Sequence, residues 1–137
     1  MPSNCDRSNT SNGLYVPRHT AAPYYTNLTN CSTNQIPLGS ASSGRLVSDL
    51  ASGNLAQFSV VIPNTTDDAH SGCLSCADNW LSTMMPRIVA SPAYQNGSTA
   101  VFVTYDSDTK GGGNHTVTIV VAPSVHTGTA SASAFNH

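Results

Sequence analysis

Three acidic residues and two histidines mark the chemistry open to this chain. Asp68 and His70 stand two residues apart in Asn64-Thr65-Thr66-Asp67-Asp68-Ala69-His70. A carboxylate beside an imidazole orients the ring and raises its basicity. Such a pair can bind a phosphoryl oxygen, ligate a metal or act as a general acid. Asp106 and Asp108 flank Ser107, and hard cations take oxygen ligands of this kind. His19 follows Arg18, and together they can meet a phosphate. Each group also has a plainer reading from spacing alone: a solvated loop for Asp-x-His, a turn for Asp-Ser-Asp, an isolated loop histidine for His19. His115, His126 and His137 have no partner by position, and Gly111 to Gly113 reads as a flexible loop.

These residues need elements to hold them. Gln57 to Ile62 reads as a short buried strand stopped by Pro63, so that Asp68 and His70 fall in the loop behind it. Thr99 to Tyr105 is a second strand, with Asp106 and Asp108 just past its end. Thr116 to Ala122 is a third, ended by Pro123. A short helix is predicted from Ser43 to Ser52, capped by Ser42 or Ser43 and ended by Gly53. A longer amphipathic helix is predicted from Asp78 to Ala90, with Trp80, Leu81, Met84, Met85, Ile88 and Val89 at spacings of three and four. Pro86 predicts a kink or a split in it. Pro92 to Gly97 reads as a turn. The fold class is α/β, with a parallel β-α-β connection from the first strand to the second and strands buried on both faces. Residues 1–42 are loop-rich, with His19 among prolines and tyrosines; residues 43–123 form the core, and 124–137 a tail, in a single domain.

Composition narrows the setting. The 137 residues suffice for one core. Of them 39% are hydrophobic, so the chain is not of disordered composition. Only 9% are charged, which leans toward a protein outside the cytoplasm. A net charge of −2 provides no basic footprint for nucleic acid. No apolar run is long enough for a transmembrane segment, and no apolar signal segment follows Met1. The Asn-x-Ser/Thr triplets at Asn9, Asn27, Asn30, Asn64, Asn96 and Asn114 matter only in a eukaryotic secreted chain.

Cys5, Cys31, Cys73 and Cys76 make an even count that favours disulfides. Three pairings are possible, and Cys5–Cys31 with Cys73–Cys76 is the one favoured. The C-x-x-C spacing of the second pair also occurs in zinc and redox sites. A zinc site would need a second pair at matching spacing, and a redox site a β-α-β unit opening at the motif.

Several stretches, in order, resemble one family. Met1-Pro-Ser-Asn-Cys5 is similar to a Met-Pro…Cys segment. Tyr15 to Tyr25 is similar to a segment built around His-Asn-Pro. Phe58 to His70 is similar to a strand followed by Pro-Asn-x-x-x-Asp-x-His. Ala77 to Asp106 is similar to a helix, turn and strand ending in an acidic pair. The chain thereby resembles the bacterial phosphoesterases that include secreted acid phosphatases, phosphatidylinositol phosphatases and phospholipases C, within the alkaline-phosphatase-like superfamily. The resemblance implies an incomplete sheet of that type with flanking helices. It implies an acid phosphatase-like phosphomonoesterase, or alternatively a phospholipase C-type phosphodiesterase, acting on a small-molecule or lipid phosphoester and secreted. His19, Asp68 and His70 match catalytic positions. Asp106 matches the first acid of a pair binding a divalent metal ion. Ser107 replaces the second acid, leaving Asp108 as its substitute, and Thr20 replaces the Asn after the histidine. The resemblance also implies a carboxy-terminal half, with the hydroxyl nucleophile and a Glu-Asn metal segment upstream of Met1. Two further readings stand beside it: a non-catalytic extracellular binding module descended from such an enzyme, and a small disulfide-stabilised α/β domain of unrelated function.

Overall fold

The computed structural model describes residues 1–70, 72–108 and 111–135. His137 and the end of the tail lie outside them. The chain separates into two compact units, Met1–Pro92 and Ala93–His137.

The first unit is helical and loop-rich. Two 3-10 turns, Pro17–His19 and Ala22–Tyr24, bury Pro17 and Pro23. Proline fits such turns because its fixed φ suits the first position and its missing N–H would be unpaired there anyway. Helix α1 (Cys31–Asn34) is one turn long. Helix α2 (Arg45–Ser52) forms within the predicted Ser43–Ser52 stretch, starting two residues later. Gly53 ends it in the left-handed region at φ 74°, donating its N–H to the Asp49 carbonyl. Its cap differs from expectation. Gly44, not a serine, is the N-cap residue, and no side chain caps the helix. A Cβ on Gly44 would lie 2.6 Å from the Gly39 Cα, so only glycine allows the chain to fold back there. Ser40 Oγ instead accepts the N–H groups of Ser42 and Ser43 at 3.2 and 3.0 Å. These bonds keep both serines in the turn before the helix.

Helix α3 (Leu74–Val89) starts four residues earlier than predicted, and the Cys73–Cys76 disulfide spans its first turn. It continues through Pro86 as a single helix. Ala77 and Met84, seven residues apart, are its buried positions. This is the spacing that brings residues to one face after two turns. Helix α2 packs on α3, with Leu50 and Met84 both buried.

Gln57 to Ile62 is not a strand. Among the described residues the single sheet contains only two strands, neither of them this segment. With no neighbouring strand to pair its backbone, β propensity has nothing to act on. Phe58 is 84% exposed and Val60 69%. The expected parallel β-α-β connection is therefore absent among the described residues.

Helix α4 (Pro92–Gln95) occupies the predicted turn. In the second unit, β1 (Val101–Thr104) and β2 (Thr118–Val121) pair antiparallel, in register Val101 with Val121 through Thr104 with Thr118. Both are shorter than predicted. Burial on both faces is also not found. In β1, Val101 and Val103 are half-buried while Phe102 and Thr104 are exposed; in β2 only Val121 is half-buried and Thr118, Ile119 and Val120 are exposed. Thr104 and Thr118 hydroxyls meet across the pair at 2.7 Å, a cross-strand contact of the kind that ties two strands together. The architecture is thus one of helices with a small two-stranded antiparallel sheet. Among the described residues no helix is long and apolar enough to cross a membrane.

Candidate functional site

The site grows from two loops of the first unit. The 63–70 loop is folded by its own side chains. Asn64 Oδ1 accepts the N–H groups of Thr66 and Asp67 at 2.8 and 3.3 Å, and Asn64 Nδ2 donates to Asp67 Oδ2 at 2.7 Å. This is the turn that asparagine after proline favours. Two residues on, Asp68 Oδ1 accepts the His70 N–H at 2.8 Å. Ala69 between them is left-handed, at φ 65°. Such a conformation costs a β-carbon residue about 1–2 kcal/mol.

Thr65 fastens this loop to the segment leading into His19. Its N–H donates to the Leu14 carbonyl at 3.1 Å and its hydroxyl to the Gly13 carbonyl at 2.8 Å. The 3-10 turn Pro17–His19 follows directly. His19 Nδ1 then lies 3.2 Å from Asp68 Oδ2, with side chains 21% and 12% exposed. The His19 and His70 rings meet edge to face, centroids 4.9 Å apart. His19 is therefore gathered with the distant Asp68–His70 pair: a carboxylate holding one ring through Nδ1 and the backbone of the other, with His19 Nε2 as the remaining ring nitrogen for chemistry.

An open groove of about 1270 Å³ adjoins the cluster. His19, Leu14, Tyr25, Leu28, Phe58 and Trp80 are among the residues lining it.

Asp106 and Asp108 belong to the second unit. Asp106 is exposed. Asp108 closes its own loop: Oδ2 accepts the His115 N–H at 3.2 Å, and its backbone N–H donates to Asn114 Oδ1 at 3.3 Å. Among the described residues no group of three or more His, Cys, Asp or Glu side chains is arranged to hold a metal ion. Of the two carboxylates, Asp108 is already occupied with a backbone N–H, and a Mg²⁺-type ion held by one or two carboxylates fills its remaining positions with water and substrate phosphate. Among the described residues no third His, Cys, Asp or Glu side chain joins them to hold the divalent ion that the resemblance implies.

Both disulfides form as favoured, with Cα–Cα distances of 5.5 Å for Cys5–Cys31 and 5.2 Å for Cys73–Cys76. Neither C-x-x-C cysteine is free for zinc or thiol chemistry. Thr65 and Asn64 were not singled out by sequence reasoning as parts of this site. The Pro63-Asn64 step is a turn signal that marks Asn64, whereas the reach of Thr65 to Gly13 leaves no sequence trace.

The chain belongs to the Phosphoesterase family, whose model matches residues 3–137. At that level its chemistry is phosphoric-ester hydrolysis, with phosphoester small molecules as the substrate class. No curated protein and no solved structure matches the chain.

Proposed function

We propose that the chain supplies the proton-transfer and phosphoryl-binding part of an extracellular phosphomonoesterase of the acid phosphatase type, on an alkaline-phosphatase-like fold. The observation that carries this reading is the convergence of His19, Asp68 and His70. In hydrolysis an oxygen nucleophile forms a new bond to phosphorus as the P–O bond to the ester oxygen breaks, and that ester oxygen must gain a proton. Protonated His19 delivers it from Nε2, while Asp68 at Nδ1 fixes the orientation of the ring. His70, ring edge against His19, donates to a phosphoryl oxygen, where negative charge develops. No residue is assigned as nucleophile. The two disulfides and the low charge content favour the extracellular setting.

A second reading is favoured by one observation. The groove next to His19 has Leu14, Leu28, Phe58 and Trp80 in its lining, beside polar residues such as Asn30, Arg45 and Asp49. Such a lining suits the apolar chains of a phosphodiester lipid, as in a phospholipase C.

The test is hydrolysis of p-nitrophenyl phosphate together with an NMR titration by inorganic phosphate. Wild type is expected to show saturable shifts of the His19 and His70 ring signals. Any turnover is expected to fall about 10²–10⁴-fold in His19→Ala. Neither turnover nor phosphate-dependent shifts in wild type would sink the proposal, as would turnover that His19→Ala leaves intact. A kcat/KM for a short-chain phosphatidylcholine well above that for the monoester would select the second reading.

A further inference from the structure

His19 ends a 3-10 turn of only three residues. A turn so short fixes little by itself, because its own hydrogen bonds are few and poorly aligned. Here they are His19 N–H to the Val16 carbonyl at 3.0 Å and Thr20 N–H to the Pro17 carbonyl at 2.9 Å. A side-chain brace completes them. The Thr20 hydroxyl donates to the same Pro17 carbonyl at 3.0 Å and accepts Nε2–H of Gln35 at 2.8 Å. Both side chains are only half-exposed. Gln35 is itself anchored at both backbone ends. Its N–H donates to the Cys31 carbonyl at 2.8 Å, and its carbonyl accepts the Cys5 N–H at 3.1 Å. Cys5 and Cys31 are joined covalently. A fixed point thus runs from the disulfide through Gln35 to Thr20, next to the imidazole.

We infer that Gln35 and Thr20 are positioning residues that hold His19 on Asp68. The Thr20 hydroxyl has a defined partner both for its proton and as an acceptor, so it sets the angle at which the chain leaves the turn. The His19 ring nitrogen stands 3.2 Å from its carboxylate. That is the long end of hydrogen-bond reach, and a displacement of about half an ångström would break the contact. The value of this bond to catalysis rests on the reading of His19 given above, but the brace can be read without turnover.

The experiment compares His19 ring ¹H–¹⁵N signals in wild type, Asp68→Ala, Thr20→Val, Thr20→Ser and Gln35→Leu, with circular dichroism and disulfide content as controls. Asp68→Ala, chosen because an asparagine oxygen could still accept from His19 Nδ1–H, defines the signature of a released ring. Thr20→Val and Gln35→Leu are expected to show that signature, and Thr20→Ser, which keeps the hydroxyl, to retain the wild-type one. Where the ester is turned over, kcat is expected to fall about ten-fold in Thr20→Val with KM within about two-fold, the pattern of a lost transition-state contact. A folded Thr20→Val with wild-type ring signals overturns the inference. Loss of folding in both Thr20→Val and Gln35→Leu overturns it as well, since the pair would then be a staple of the fold. Failure of the hydrolysis reading is distinct: wild type lacks turnover and phosphate response while the ring is still released in Thr20→Val.

Discussion

Two acidic loops that look alike in sequence are built differently. The 63–70 loop and the 106–115 loop each carry paired aspartates and a histidine. In the first, Asp68 reaches His19 across 49 positions and Thr65 reaches Gly13 across 52. In the second, the Asp108 bonds end on Asn114 and His115, six and seven positions away. A local bond forms whenever its own turn forms. A long-range bond holds two segments whose approach has already cost chain entropy. The first loop is therefore the one on which tertiary structure is spent. It also keeps the strain. Its left-handed residue is Ala69 at φ 65°, whereas the other loop places Asn114 at φ 58°. Asparagine tolerates that region through its own side-chain hydrogen bonding and alanine does not. Strain held by surrounding contacts gathers where geometry matters.

The largest expected contrast is in activity. Asp68→Asn keeps the shape but replaces the acceptor-only carboxylate that orients the His19 ring. Phosphomonoester turnover should fall about 10²-fold or more. Asp108→Asn, altering a carboxylate already used to close its own loop, should change turnover by less than about three-fold. Equal losses in parallel kinetic assays would erase the distinction between the loops.

Next is the covalent anchor. Cys5–Cys31 encloses a separation of 26 residues and Cys73–Cys76 only 3. By loop-closure entropy the paired Cys5→Ser, Cys31→Ser change should cost about 3 kcal/mol and the Cys73→Ser, Cys76→Ser change about 2 kcal/mol or less. Urea unfolding measures both. The reverse order would mean that the N-terminal loops do not lean on their disulfide.

Exchanging the left-handed residues tests the strain itself. Ala69→Asn or Ala69→Gly should raise stability by about 0.5–1 kcal/mol, and Asn114→Ala should lower it by about 1 kcal/mol. If Ala69→Gly also reduces turnover, the strained turn contributes to holding His70. If Ala69→Gly lowers stability, the left-handed conformation of Ala69 is not strained in the way argued, and thermal melts would show it.

The sequence was legible where the cause was local. The apolar spacing of Trp80, Met84 and Ile88, Gly53 as a helix stop and the two β-branched runs behind β1 and β2 all act within a few residues. Illegible features depended on a partner elsewhere. Gln57 to Ile62 has the composition of a strand, yet pairing needs a neighbour at about 4.8 Å, which no property of the segment supplies. The antiparallel direction of β1 and β2 likewise belongs to the pair. In the site, Asp68 and His70 were visible as a spacing, and His19 as an isolated ring made relevant by resemblance. Thr65 was invisible because its partner lies 52 positions away. For the same reason Gln35 was missed and Thr20 was visible only as a departure from the Asn after the histidine, their bond spanning 15 positions.

Asp6 offers the smallest effect and a local reference for Asp68. Each carboxylate accepts the N–H two residues on at 2.8 Å, from Ser8 in one case and His70 in the other. Their second oxygens differ: Asp6 takes the Ser3 hydroxyl at 2.9 Å, Asp68 the His19 ring. The Ser8 N–H, reinforced by the Ser3 hydroxyl, holds the Asp6 carboxyl below its ordinary value, because both donors favour the charged form. A carboxyl lowered in the folded state adds stability above its unfolded value, and the gain is lost as pH falls through the folded one. The N-terminal loop should therefore hold its bonds through the mildly acidic range and loosen only below about pH 4. Carbon-13 titration of the Asp6 carboxyl should give a midpoint below that of the same residue in a short peptide, and Ser8→Pro, which removes the donor N–H, should move it back up. A midpoint equal to the peptide's would mean that the two-residue turn does not perturb the Asp6 carboxylate.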